Sequence, residues 1–222
     1  RVLTYKIAYL LQQGMKPWSI MALTFTNKAA KEMRERINRL VGGDLAAHLY
    51  MGTFHSIFSR ILRAEADHIG FNNNFTIYDE SDSRSLLKAI IKEKGFDDKT
   101  YKPAAVHAKI SMAKNNLVTP EIYRADKDYY DRDKHANMPG VGEIYEVYVQ
   151  RCKQANAMDF DDLLMLTFQL FRDHEEIRQK YSDRFDFILV DEYQDTNHVQ
   201  MKIVMQRCKE KNRVCAVGDD SQ

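Results

Sequence analysis

Two adjacent carboxylates end the most apolar run in the C-terminal part of this chain. Asp191 and Glu192 follow residues 187–190 in FDFILVDEYQDTN, and Asp219 with Asp220 repeats the pattern in VCAVGDDSQ. Two acids at the end of a buried strand can take different roles in the hydrolysis of a phosphoanhydride. One holds Mg²⁺ and the other orients or deprotonates a water. In this interpretation Asp191 holds the metal and Glu192 acts on the water.

A structural alternative stays open for the same acids. Asp195, Thr196 and Asn197 precede the helix-like segment that follows, and acidic residues favour helix N-termini. Helix capping accounts for Asp195 better than for Glu192. A strand that ends in Asp-Glu also occurs in many unrelated proteins, so the pair alone does not identify a site.

Strands and helices alternate on both sides of a long middle region, which predicts a parallel α/β sheet. Leu3, Ile7 and Leu10 share one helical face, residues 20–25 form a short strand-like run, and Asn27 is expected to cap the next helix. In open α/β sheets ligands bind at the carboxyl ends of the strands. The acids are therefore expected at that edge.

The middle region carries helical patterns in place of strands. It predicts an inserted helical subdomain over residues 55–157, within a domain formed by residues 1–54 and 158–222. Residues 124–140 are charged, include a Pro-Gly pair and are predicted to be an exposed loop. Asp159 is expected to cap a helix, with Asp161 and Asp162 exposed at the surface; none of the three is predicted to bind a metal or to be catalytic.

Composition indicates a globular protein in a reducing compartment. The 222 residues include 33 Lys and Arg against 32 Asp and Glu, a net charge of +1, so any polyanion must be held by local groups. The 3 cysteines form no CxxC pair, and no run approaches the ~20 apolar residues of a membrane span. A cytoplasmic protein is expected.

Short segments in a fixed order resemble the motifs of the superfamily 1 DNA helicases of the UvrD, Rep and PcrA type. ILVDEYQDTN resembles motif II (Walker B), VGDDSQ the start of motif III, ALTFTNKAAKEM motif Ia and GTFHS motif Ib, while MDFDDLL matches a further family segment. Together they extend from residue 22 to residue 222. The resemblance implies a RecA-like P-loop NTPase sheet flanked by helices, with an inserted all-helical subdomain. It also implies a parent enzyme that uses ATP and Mg²⁺ to translocate on single-stranded DNA and to unwind duplex.

The resemblance assigns roles to individual residues. By resemblance to motif II, Asp191 is expected to bind Mg²⁺ and Glu192 to act on the catalytic water. Gln222 matches the motif III glutamine and is expected near the γ-phosphate. Arg1 is assigned to the nucleotide as well. Motifs Ia and Ib line the DNA path, where aromatic faces stack on bases and polar groups hold phosphates. The positions that match are Phe25, Thr26, Asn27, Lys28, Thr53, Phe54, His55 and Ser56.

The sequence opens on a helix and contains no Gly-rich phosphate-binding loop ending in Gly-Lys-Thr. We therefore expect these residues to be a piece of a longer helicase, with little or no ATPase activity alone. The parent is expected to act on single strands and duplex junctions, with repair or replication proteins as partners. Two alternatives stay open: a non-catalytic single-strand-binding module of the same fold, and a metal-dependent nuclease that uses the strand-end acids.

Overall fold

The structure is a computed structural model that describes residues 2–43, 45–207 and 213–218. Within those ranges no helix has the length and apolar character needed to cross a bilayer. The helices and strands are, in chain order, α1 (Val2–Gln12), β1 (Ile20–Thr24), α2 (Asn27–Val41), β2 (Tyr50–Thr53), α3 (Phe54–Ala64), β3 (Thr76–Tyr78), α4 (Glu80–Glu93), α5 (Pro103–Asn115), α6 (Pro120–Ala125), α7 (Lys127–His135), α8 (Val141–Gln154), β4 (Ala157–Asp159), α9 (Phe160–Asp173), α10 (Glu175–Arg184), β5 (Phe187–Val190), α11 (His198–Arg207) and β6 (Arg213–Ala216).

The chain divides into two compact units. The first, here called the sheet unit, contains residues 1–61 and 168–222, and the second, the helical unit, contains residues 62–167. The chain leaves the sheet unit within α3 and returns to it within α9.

In the described part of the sheet unit, four strands lie in the order β2-β1-β5-β6, all parallel. Chain order and spatial order differ, because β5 follows the whole helical unit in sequence but pairs directly with β1. The predicted α/β class with a parallel sheet is confirmed.

Two helices cover one face of this sheet. Leu3 and Ile7 of α1 and Ile37 of α2 belong to one buried cluster with Ile20 of β1 and Leu189 of β5. The apolar side chains on one face of α1 and α2 thus pack against those on one face of the strands in a single core. Gly14, with a φ of 85°, ends the turn after α1 in a left-handed conformation that glycine adopts without strain.

The cap of α2 lies one residue earlier than expected. The hydroxyl oxygen of Thr26 accepts a hydrogen bond from the backbone N–H of Ala29 at 3.0 Å, whereas Asn27 is the first residue of the helix. The prediction that Asn27 caps α2 was wrong, because Thr26 has the extended backbone that an N-cap requires.

The helical unit contains more regular structure than the sequence indicated. Strands β3 and β4 pair in parallel, with Tyr78 opposite Asp159. The sequence predicted only helices in this region, so this pair of strands was not expected. Residues 127–135, predicted as loop, form α7. Its Asp133 is buried, accepts a hydrogen bond from Tyr123 at 2.7 Å and pairs with Lys109 at 2.8 Å, so the charges of this segment are partly structural.

Candidate functional site

The carboxyl ends of the parallel strands lie along one edge of the sheet unit, here called the strand-end edge. The register pairs Thr24 with Thr53 and Leu23 with Val190, so the segments that follow β1, β2 and β5 emerge side by side. The backbone N–H of Asp191 donates to the carbonyl of Leu23 at 3.0 Å, which continues the β1–β5 ladder. The sheet therefore brings the acid pair and both segments predicted to contact DNA to the same edge.

The acid pair occupies a fixed turn. Asp191 is half-buried and Glu192 is exposed, with φ and ψ both 51°, a left-handed conformation that residues other than glycine rarely adopt. Such conformations cost about 1–3 kcal/mol and cluster at functional sites. The backbone N–H of Tyr193 donates to the carbonyl of Val217 at 3.0 Å, so the segment after β6 holds the turn in place.

Helix capping does not account for the acid pair. The cap of α11 is Asn197, whose side-chain oxygen accepts from the backbone N–H of Gln200 at 2.8 Å, while the Gln200 side chain accepts from the N–H of Asn197 at 3.0 Å. Glu192 precedes a short 3₁₀ turn, Tyr193–Asp195, but its side chain makes no capping hydrogen bond to it. Since another residue caps α11, the geometry favours the interpretation of Asp191 and Glu192 as a site.

The oxygen donors of this turn fit a magnesium ion. Mg²⁺ prefers carboxylate oxygen and keeps several waters, so it is held by one or two carboxylates at a surface open to solvent. Asp191 is partly accessible at the strand-end edge and Glu192 is next to it in the chain. A carboxylate open to solvent, as Asp191 is here, is a ligand of the kind that a hydrated Mg²⁺ takes.

An aromatic pair forms the part of the edge beyond β1 and β2. The ring of Phe25 is partly exposed and lies 5.6 Å from the ring of Phe54, at an angle of 58°. Phe54 is only 1% exposed and packs in turn on Phe58. Its ring is therefore part of the core and supports Phe25 from behind, and the face available for a base is that of Phe25.

Hydroxyl groups follow both strands at this edge. The Thr53 hydroxyl accepts from the backbone N–H of Ser56 at 3.2 Å, and the Ser56 hydroxyl donates to the carbonyl of Thr53 at 2.9 Å. The Thr26 hydroxyl accepts from Ala29, so its own hydrogen can point away from the helix. Thr26 and Ser56 are exposed, whereas His55 is half-buried.

The basic residues of α2 are mostly used within the protein. Arg34 donates to the carbonyl of Met51 at 3.2 Å, Arg36 pairs with Glu32 at 3.6 Å, and Arg39 donates to a backbone carbonyl one turn earlier. Lys28 and Asn27, in contrast, are exposed in the first turn, next to Phe25. Lys28 thus adds positive charge at a helix N-terminus, whose backbone N–H groups already favour binding of an anion.

Two of the three aspartates of the MDFDDLL segment, Asp159 and Asp162, form a buried ionic cluster in the helical unit, whereas Asp161 is half-buried and accepts a hydrogen bond from the Asn115 amide at 2.8 Å. The ammonium of Lys114 lies 2.7 Å from a carboxylate oxygen of Asp159 and 2.7 Å from one of Asp162. Tyr148 donates to Asp159 at 2.9 Å, and Asp159 and Asp162 accept from each other's backbone N–H groups. Asp159 caps α9 as predicted, but the prediction that Asp162 is exposed was wrong, since it is only 9% exposed.

Electrostatics explains how two carboxylates tolerate this position. Burial and the neighbouring Asp159 raise the pKa of Asp162 to about 7. Burial also disfavours the charge of Asp159, but the Lys114 ammonium outweighs it and lowers the pKa of that carboxyl below its ordinary value. The Lys114 ammonium lies between the two carboxylates and compensates their charge within the fold.

Several residues assigned from the sequence lie outside the part of the chain that the structure describes. They are Arg1, Asp219, Asp220 and Gln222.

Sequence reasoning also missed two residues at the edge. Thr24 is completely buried, with its hydroxyl near two carbonyls, and Gly52 approaches α3 so closely that a Cβ there would lie 2.4 Å from the Ser56 hydroxyl oxygen. A glycine inside a strand run is a signal of close backbone approach, so Gly52 was detectable in principle.

Comparison with known proteins gives a consistent result. Residues 1–222 match the family described as UvrD/REP helicase N-terminal domain. The chain is 43% identical over 223 residues to the ATP-dependent DNA helicase PcrA of Staphylococcus aureus, and 42% identical over 224 residues to that of Bacillus subtilis. All of this chain is covered, against 30% and 29% of those two relatives, so it spans less than a third of their length.

Proposed function

The chain belongs to the UvrD/REP helicase N-terminal domain family, and on that premise we propose that it forms the central part of the first motor domain of a longer ATP-dependent DNA helicase. The parent protein translocates on single-stranded DNA and unwinds duplex at junctions, driven by hydrolysis of Mg-ATP. We propose that it acts in the cytoplasm, with repair or replication proteins as partners.

One observation carries the proposal: the acid pair and the segments matched to DNA contacts lie at one edge of one sheet. Strand β1 lies between β2 and β5, so the segment around Phe25 has the Thr53 segment on one side and the acid pair on the other. An enzyme that couples hydrolysis to movement along a strand needs its nucleotide site and its DNA contacts on a shared rigid element. The parallel sheet is such an element.

On the nucleotide side, the residues divide their work. Asp191 holds Mg²⁺. Glu192 orients the attacking water and accepts a proton from it. The ion supplies neutralisation of phosphate charge when it is bound. The left-handed turn at Glu192, tied to Val217 by the hydrogen bond from Tyr193, keeps the carboxylate directed away from the core.

On the DNA side, Phe25 presents a supported ring on which a base of any sequence can stack. The hydroxyls of Thr26 and Ser56 and the backbone N–H groups at the start of α2, at Asn27, can donate hydrogen bonds to phosphates. Lys28 adds positive charge. Contacts of these types carry no sequence preference, which suits a motor that moves along the strand.

The 222 residues alone are expected to hydrolyse ATP weakly or not at all. They contain no Gly-rich loop with its lysine, so the phosphates lack most of their binding donors. Robust activity of these residues by themselves, lost in Glu192→Gln, would overturn this expectation.

Photocrosslinking tests the DNA side of the proposal. The full-length protein is irradiated with oligothymidylate and digested with trypsin, and the crosslinked peptides are identified by mass spectrometry. The peptide of residues 7–28, which contains Phe25 and stays uncut after Lys16 because Pro17 follows, is expected to carry the crosslink, and Phe25→Ala to abolish it. Crosslinks confined to residues 62–167 would contradict the proposed path.

A further inference from the structure

A buried hydroxyl at the strand-end edge has no part in the assignments above. Thr24 is the last residue of β1 and is completely buried between the segments that follow β1 and β2. Its hydroxyl oxygen lies 3.2 Å from the carbonyl of Thr26 and 3.4 Å from the carbonyl of Gly52. The hydroxyl has one hydrogen to donate, and it is shared between a carbonyl of its own segment and one of the neighbouring strand.

The Thr26 carbonyl belongs to the start of α2, and the Gly52 carbonyl lies in β2, two residues before α3 begins. The Thr26 carbonyl also accepts from the backbone N–H of Ala30 at 3.1 Å, which closes the first turn of α2. The Gly52 carbonyl immediately precedes Thr53, whose side chain caps α3 through the N–H of Ser56. The Thr24 hydroxyl therefore connects the two helix starts that carry the predicted phosphate contacts.

Gly52 brings α3 close to the strand. A Cβ at this position would lie 2.4 Å from the Ser56 hydroxyl oxygen, a separation that forces a shift, while its next neighbours, atoms of Ile57, would be at an ordinary 3.6 Å. The obstacle is thus one atom. Removal of the Ser56 hydroxyl creates room for the methyl group of an alanine at residue 52.

We propose that Thr24 is a positioning residue that holds the start of α2 and the start of α3 in register, so that single-stranded DNA meets them as one surface. Gly52 sets the distance between strand and helix in the same arrangement. The inference rests on the proposed function, since it concerns the same DNA contacts. Neither residue touches the DNA itself.

Two substitutions at Thr24 test the hydroxyl directly in the full-length protein. Thr24→Val keeps the shape but removes the hydroxyl, and Thr24→Ser keeps the hydroxyl. Affinity for fluorescein-labelled oligothymidylate is measured by anisotropy, with the melting temperature of each variant recorded beside it. We expect Thr24→Val to weaken binding about five- to tenfold, the equivalent of one hydrogen bond, and Thr24→Ser to remain within about twofold of the unmodified protein.

The rescue by serine separates positioning from general stability. A Thr24→Val variant that is folded and binds as tightly as the unmodified protein overturns the inference. Equal weakening by valine and serine overturns it too, because the hydroxyl would then not be the group that matters.

A second set of variants covers the case in which Thr24→Val does not fold. Gly52→Ala is expected to weaken DNA binding by pushing Ser56 away, and Gly52→Ala combined with Ser56→Ala is expected to bind like Ser56→Ala alone. Additive losses in the double variant would contradict the geometry.

Phe25→Ala separates this inference from its premise. If the unmodified protein fails to bind the oligonucleotide, or if Phe25→Ala has no effect on its binding, the proposed function fails and the inference fails with it. If Phe25→Ala weakens binding and Thr24→Val does not, only the positioning role is lost.

Discussion

Replacement of Lys114 by methionine is expected to destabilise the helical unit severely. The Lys114 ammonium lies 2.7 Å from oxygens of both Asp159 and Asp162, and the three side chains are 1%, 5% and 12% exposed. Methionine has similar length and no charge, so the variant leaves two carboxylates facing each other out of reach of water. Removing one partner of a buried ionic group costs about 3–5 kcal/mol.

Hydrogen exchange measures this cost where it arises. Amides of α5, α8 and the first turn of α9 are followed by mass spectrometry, with those of α1 and α2 in the sheet unit as an internal reference. A loss of about 3–5 kcal/mol accelerates exchange in the helical unit roughly a hundredfold or more. Lys88→Met, at an exposed position of α4, is the matched control and is expected to stay within about 0.5 kcal/mol of the unmodified protein.

The double variant of Lys114→Met with Asp162→Asn sharpens the test. Because it removes one of the two facing charges, it is expected to be more stable than Lys114→Met alone. A Lys114→Met protein that loses less than about 1 kcal/mol, or a double variant that is less stable than either single variant, would refute the electrostatic reasoning.

Three further predictions follow from particular contacts. Since the pKa of Asp162 is raised to about 7 in the fold, its contribution to stability is present at low pH and lost as pH rises through 7. The free energy of unfolding of the helical unit, measured by hydrogen exchange, is expected to fall by about 2 kcal/mol from pH 5 to pH 7, with little further loss above about pH 8 because the carboxyl is then ionised in both states, and Asp162→Asn should remove that slope. Phe25→Ala is expected to weaken binding of oligothymidylate by about 1–3 kcal/mol in anisotropy titrations with little change in melting temperature. Phe54→Ala should instead lower stability by about 3–5 kcal/mol in urea unfolding, and the reverse pattern would contradict the assigned roles. Lys28→Ala is expected to reduce the slope of log affinity against log salt concentration by about the amount of one phosphate contact. An unchanged slope would show that Lys28 does not contact the DNA backbone.

The strand-end edge was predictable because local patterns determine it. Apolar runs that stop at polar residues indicated strand ends, and parallel strands place those ends on one side of a sheet, so Asp191 and Glu192 were expected at this edge. The DNA contacts of Phe25 and Thr53 were expected from the family resemblance alone. The order of the strands was not predictable in the same way. The pairing of β5 with β1 joins residues more than 160 positions apart, and no spacing in the sequence encodes it.

The errors have a common physical cause, which is tertiary contact. Asp162 was expected at the surface because an aspartate in a first helical turn is usually solvated, but its partner Lys114 lies in a distant helix. The segment that forms α7 was predicted as loop from its charges, whereas Asp133 is held by Tyr123 and Lys109. The choice of Thr26 over Asn27 as the cap depended on one residue's backbone angle, which composition does not reveal.

The central claim is that the acids at the end of β5 hydrolyse ATP for a motor that responds to DNA. Its most direct test is the Mg²⁺-dependent ATPase activity of the full-length protein, with and without single-stranded DNA, beside that of Glu192→Gln. Activity stimulated by DNA that falls about a hundredfold or more in the variant, as loss of a general base predicts, would support the claim. Absence of hydrolysis in a protein that still binds single-stranded DNA, or full activity in Glu192→Gln, would contradict it.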